Sequence, residues 1–188
     1  ALAVSFCAGS PNVKLAWFFN GREGTKLMHT VGALFRDLPI AFRFNEAQRI
    51  EEIFVDAREQ VRSAIEHSCY PYVENHSLAV EDDIATVLYQ HDLRDAVNLG
   101  GIAMEAVDIR QNKAASQSVL DIEILDGSAG LHLSLDYAAS RYDRNTMVRF
   151  RDLFTRITAA LVHEKIVGKL TVGDLHREVQ DILRRPCP

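Results

Sequence analysis

The chain has 188 residues, 47% of them apolar and 25% charged, a composition that suits one packed domain and excludes a disordered or collagen-like chain. Lys and Arg number 21 against 26 Asp and Glu, a net charge of −5, which lacks the positive field that nucleic-acid binding requires. No apolar run approaches the ~20 residues of a membrane span, and the three separated cysteines, Cys7, Cys69 and Cys187, form no Cys-x-x-Cys pair, so they read as reduced thiols of a cytoplasmic protein.

In chain order, residues 1–8 form an apolar stretch that Gly9-Ser10-Pro11 closes as a helix end. Val13–Phe19 is a nearly continuous apolar run, the pattern of a central strand buried on both faces, and Asn20-Gly21-Arg22 ends it. Leu38, Ile40, Phe42 and Phe44 alternate with smaller or polar residues as in a half-buried strand, and Pro39, which cannot donate to a ladder, puts that strand at an edge or at its start. A helix over Ala47–His67 follows from the 3.6-residue stripe of Ile50, Ile53, Phe54, Ala57, Val61 and Ala64. Short strands are predicted over Ile84–Tyr89 and Gly100–Asp108. Leu120–Leu125 and Leu131–Tyr137 alternate around a short Gly-containing loop, the mark of an antiparallel hairpin. Asp143 is the expected N-cap of a long helix over Arg144–Val162 with a stripe of Met147, Phe150, Phe154 and Ile157, and a last helix is predicted over roughly 172–183. The fold class is therefore α/β, a mixed sheet with long helices packed on it.

Residues with chemistry in them are few. None of the seven histidines has zinc spacing with a cysteine, and His163-Glu164 lacks the second histidine that a zincin helix requires, so no metal site is expected. Gly21–Lys26 has the wrong order for a phosphate loop, Gly-Thr-Lys in place of Gly-Lys-Ser or Gly-Lys-Thr, and reads as a loop leaving a strand. His67 and Cys69 lie two residues apart, a spacing that points them in different directions on a helix, so a helix-end histidine beside a buried cysteine is expected there. Arg141, Arg144, Arg149, Arg151 and Arg156 gather around the second long helix, either as a solvated face or as a docking face for an acidic partner.

Five segments in order resemble the C-terminal lobe of the condensation domain of non-ribosomal peptide synthetases, a member of the chloramphenicol-acetyltransferase-like superfamily. Leu15–Arg22 is similar to that family's strand ending in Gly-Arg. Val31–Pro39 is similar to "V-G-x-F-x-N-x-L-P", with Arg36 for Asn and Asp37 for Thr. His67–Glu74 is similar to "H-Q-D-Y-P-F-E". Leu120–Tyr137 is similar to the late hairpin, and Tyr142-Asp143 with its helix to "F-D-x-x-T-I-x-R". The resemblance covers residues 1–165 and leaves 166–188 as a C-terminal extension or linker.

The resemblance implies a chloramphenicol-acetyltransferase-like lobe that forms one wall of a tunnel in which two carrier-protein-bound thioesters are joined by an amide bond. No adjacent histidines occur, so the family's catalytic "H-H-x-x-x-D-G" is absent from the chain. Together with the missing initial Met, that implies an excised lobe of a megasynthase, with no catalytic residue of its own and inactive alone. Arg22 is the one site residue that the resemblance supplies, a structural support that pairs with the Asp of the missing motif. The implied partners are the N-terminal lobe and peptidyl carrier proteins, with self-association of the isolated chain as a homodimer; no nucleic acid and no membrane is expected. No cofactor is expected to bind directly, but the phosphopantetheine arm of a carrier protein is implied. The segment Asp108–Ser118 is expected to be mobile and to reach toward the partner lobe. Two other readings stand beside this one: a stand-alone acyltransferase that uses Cys69 or a histidine, and a non-catalytic interaction module of the same fold.

Overall fold

The alternating stretches pair into one sheet, and the 3.6-residue stripes lie against it. A computed structural model describes residues 1–22, 27–70, 84–91, 119–128, 130–162 and 169–184. In order they form α1 (Leu2–Ala8), β1 (Asn12–Phe19), β2 (Arg36–Arg43), α2 (Ile50–Glu66), β3 (Ala85–His91), β4 (Leu120–Gly127), β5 (Gly130–Tyr137), α3 (Arg144–Val162), α4 (Val172–Glu178) and α5 (Gln180–Leu183). The sheet has five strands in the order β2-β1-β3-β4-β5. The β1/β3 and β3/β4 pairs are parallel, and β2/β1 and β4/β5 are antiparallel. The segments 100–108 and 108–118 lie outside the described residues.

Register decides which face each side chain occupies, because the side-chain period of a strand is two. Leu15 pairs with Ile40 and with Ala85, and Val87 pairs with Ile122, so these residues share the face that looks toward the helices. Val13, Leu15, Ala85, Leu120 and Ile122 are buried there in one cluster with Ile50, Phe150, Leu153 and Leu175. The opposite face carries Phe18, Asp37, Thr86 and Asp121. Thr86 is buried, and its hydroxyl donates to the Asp121 carboxylate.

Local signals explain the boundaries. Gly9 ends α1 in the left-handed region at φ 60°, which an L side chain adopts only at a cost. Asp143 caps α3 as expected: its carboxylate accepts from the Thr146 backbone N–H at 2.8 Å and from its hydroxyl at 2.8 Å. Those bonds hold the Asp143 carboxyl below its ordinary value. Thr171 caps α4 with the reciprocal Asp174 bonds of a capping box. The hairpin strands run on past Leu125 and Leu131 as far as Gly127 and Gly130, which pair with each other.

Four expectations need correction. β1 is an interior strand, flanked by β2 and β3, but it is not buried on both faces: its first half alternates buried and exposed. Helix α2 starts at Ile50 rather than Ala47, because the backbone before it is taken up elsewhere. Val172 N–H donates to Gln48 O at 2.9 Å, Gly173 N–H to Glu46 O at 2.9 Å, and Ile50 N–H to Leu170 O at 2.9 Å. Residues 169–184 are therefore more than a linker: Leu170, Val172, Leu175, Val179 and Ile182 are buried in the main core, in two short helices where one was predicted. The helical stripe puts Phe54 in the core, but it is 49% exposed. It sits at the margin of the α2 stripe, whose inner positions Ile50 and Ile53 take the buried places. Phe154, the matching residue of α3, is half-buried against the core.

A stability pair separates these roles. Leu175 has no accessible surface, so Leu175→Ala is expected to cost about 2–5 kcal/mol. Phe54→Ala is expected to cost under about 1 kcal/mol, as for an exposed side chain. Urea unfolding of the two variants checks the ranking, and the reverse order would contradict the assignment of the C-terminal segment to the core.

Candidate functional site

The end of β1 and the segment that leads into β2 form a loop built around three residues. Asn20 Oδ1 accepts from the Arg22 backbone N–H at 3.1 Å, a local turn bond. Gly21 has φ 62°, and a Cβ there would stand 2.0 Å from the Leu34 carbonyl oxygen. Both the dihedral and the close approach require glycine. Arg22, half-buried, turns its guanidinium inward. One Nη donates to Leu27 O at 3.2 Å and to Thr30 O at 2.5 Å, and the other donates to Gly32 O at 2.9 Å.

This arrangement gives Arg22 a role that the sequence did not suggest. Three backbone carbonyls have no side-chain signature, so nothing in the residue string points to them. A guanidinium has five N–H donors in a planar fork. Among the described residues, three are engaged by carbonyls of the loop and two are not. The loop that Arg22 holds carries exposed apolar side chains: Met28 is 62% exposed and Val31 99%.

The other candidates fall apart as chemistry. His67 caps α2, and its Nδ1 lies 2.8 Å from Ser63 O. A carbonyl only accepts, so Nδ1 carries a proton. Cys69 was expected to be buried, but it is exposed, and its Sγ lies 3.9 Å from an Arg36 Nη rather than against the imidazole. The chain bends after the end of α2, which swings the thiol toward β2. His67 and Cys69 therefore form no dyad. The arginines of α3 are partly spent within the chain: Arg151 pairs with Asp152 at 2.7 Å and Arg156 with Glu178 at 3.3 Å. Among the described residues no cluster of three or more metal-binding side chains occurs, and no helix is long and apolar enough to cross a membrane.

Between the outer edge of β2 and the C-terminal half of α2 lies a cleft of about 960 Å³. Gln60 of α2 accepts from the Ala41 backbone N–H at 3.2 Å and so covers part of the β2 edge. Asp37 lies at this cleft, and burial, with the Asp121 carboxylate adding to it, pushes its carboxyl above the ordinary value.

Comparison with solved structures finds this fold in condensation domains. The first condensation domain of the CDA synthetase superposes with a TM-score of 0.68 at 17% identity, over 92% of this chain and 40% of that one. The condensation domain from Monacolin K polyketide synthase gives 0.65 at 15%, over 97% and 41%. The epimerization domain from the third module of tyrocidine synthetase B gives 0.57 at 15%, over 97% and 39%. The chain thus has the fold of a condensation-domain lobe and spans about two fifths of the length of the domains it matches. No family model and no curated protein matches it.

Two substitutions test the loop. Gly21→Ala is expected to destabilise by about 1–3 kcal/mol or more, because φ stays positive and the methyl meets a carbonyl. Arg22→Ala is expected to speed hydrogen exchange at the Thr30 amide, which bonds to Leu27 O at 3.2 Å, while β1 and β2 amides keep their protection. Arg22→Lys is expected to behave like Arg22→Ala, since one ammonium cannot reproduce the fork. An unchanged Thr30 amide in Arg22→Ala would show that the guanidinium does not hold the loop.

Proposed function

We propose that this chain is the C-terminal lobe of a condensation domain that joins carrier-protein-bound thioesters by an amide bond in non-ribosomal peptide synthesis. The observation that carries the reading is the extent of the match. Nearly all of this chain corresponds to two fifths of condensation domains, and five segments of its sequence resemble that family's motifs in order. The site loop at the end of β1, anchored by Gly21 and Arg22, supports it further.

In this reading the acceptor amine attacks the donor thioester carbonyl. The C–N bond forms, the C–S bond breaks, the carrier's phosphopantetheine sulfur leaves as a thiolate, and the amine proton passes through a base to that thiolate, which ends as a thiol. Most of the advantage comes from holding two reactants together, worth several kcal/mol in avoided entropy. A group that manages the proton and the developing oxyanion supplies the rest. That group, the histidine of "H-H-x-x-x-D-G", belongs to the N-terminal lobe. This lobe contributes one wall of the tunnel and Arg22, whose two remaining N–H donors suit the Asp of that motif. Arg22 is then a positioning residue that joins its own loop to the motif of the other lobe. The exposed apolar loop residues favour association, with the N-terminal lobe or, in the isolated chain, with a second copy.

The test is amide formation between two carrier-bound aminoacyl thioesters. This chain alone is expected to give no more product than background aminolysis, and the chain mixed with a separately produced N-terminal lobe to give more. Arg22→Ala in the mixture is expected to lower the rate steeply. Turnover by this chain alone would overturn the lobe reading in favour of a stand-alone acyltransferase. Stable association of the lobes without turnover would favour the non-catalytic interaction module.

A further inference from the structure

Two segments that depart from the motifs they resemble meet in space. Arg36 stands where "V-G-x-F-x-N-x-L-P" has Asn, and Ser68 and Cys69 stand where "H-Q-D-Y-P-F-E" has Gln and Asp. Arg36 at the start of β2 reaches the segment after α2: its Nη1 donates to Ser68 O at 2.8 Å and lies 3.9 Å from Cys69 Sγ. All three residues line the cleft of about 960 Å³. The Asp of the motif would neutralise the guanidinium. Cysteine in its place does not, and among the described residues Arg36 makes no ion pair.

A second observation points to a ligand. Ser68 is 4% exposed, and its hydroxyl has no hydrogen-bond partner among the described residues. A buried hydroxyl left without a partner costs free energy unless something bonds to it. Asp37, next along β2, is the acid at the cleft, but strand alternation turns it to the opposite face, toward Asp121. Leu38 and Ala64 supply apolar lining beside the polar end.

We infer that the β2–α2 cleft is a binding site for a small carboxylate with a short apolar body, its oxygens held by Arg36 and the Ser68 hydroxyl. The guanidinium supplies charge-assisted bonds and the hydroxyl a second donor. Cys69 stands at the mouth of the site as an exposed thiol and reports on what occupies it.

That thiol makes the test direct. Iodoacetate and iodoacetamide alkylate by the same step: the thiolate displaces iodide at carbon, a C–S bond forms, and the thiol proton goes to solvent. They differ in that iodoacetate carries a carboxylate. The ratio of the two rates at Cys69, read by peptide mass spectrometry on the whole chain, cancels the thiolate fraction. In Arg36→Gln the ratio of iodoacetate to iodoacetamide at Cys69 is expected to fall about tenfold. At Cys7, which is also exposed and lies on α1, it is expected to stay unchanged, which shows the fold intact. Hexanoate is expected to protect Cys69 from iodoacetamide in the wild-type chain and hexanamide is not, and Ser68→Ala is expected to weaken that protection. The inference is overturned by equal protection from hexanoate and hexanamide, by no protection at all at millimolar hexanoate, or by a ratio at Cys69 that Arg36→Gln leaves unchanged. The hexanoate arm uses the unaltered chain, so it decides the matter even where a variant does not fold. A loss of amide formation in the two-lobe assay leaves these rates where they are, so the two readings fail separately.

Discussion

Four side chains with almost no accessible surface, Ile50, Leu153, Leu175 and Val179, hold the helix layer of this protein together. They come from the start of α2, the middle of α3, α4 and the junction of α4 with α5, and they join one buried cluster with Leu15 of β1 and Ile122 of β4. Each needs the others to leave water. The sheet alone has one apolar face, and that face is closed only when elements more than a hundred residues apart meet beneath it. The backbone pairing of residues 46–50 with 170–173 locks this arrangement, since it satisfies amides that would otherwise be buried without partners.

The site loop follows from the same logic at smaller scale. β1 runs out of the core at Phe19, and the chain must turn back to lay β2 antiparallel beside it. Gly21 permits the turn and the close approach to Leu34, and Arg22 gathers the carbonyls of Leu27, Thr30 and Gly32. A loop held by one guanidinium can present apolar side chains at a fixed place without a core of its own. The proposed function asks for this: exposed apolar side chains, Met28 and Val31, that another surface can cover.

The sheet was legible in the residues because its signal is local. Leu120–Leu125 and Leu131–Tyr137 alternate cleanly, and the strands lie where the alternation puts them. Arg144–Val162 coincides with its predicted bounds because Asp143 caps it and its stripe is unbroken. The C-terminal helices were only faintly visible, since seven-residue and four-residue helices carry too little periodicity to read. Phe54 misled because a helical stripe has margins, and only tertiary packing decides which margin is covered. The site was less legible than the fold. Arg22 stood out through resemblance, but its three carbonyl partners leave no trace in a sequence. The meeting of Arg36 with Ser68 and Cys69 spans more than thirty residues and arises from the β2–α2 packing.

The central claim is that this fold is one part of a two-lobed whole, and binding between the parts tests it most directly. Isothermal titration of this chain with a separately produced N-terminal condensation lobe is the measurement. The account predicts a saturable one-to-one complex with a negative heat-capacity change, the sign of apolar surface leaving water. It also predicts that Val31→Asp, at the most exposed apolar residue of the Arg22 loop, weakens it. Absence of binding at high micromolar concentrations, with both lobes folded, would contradict the account.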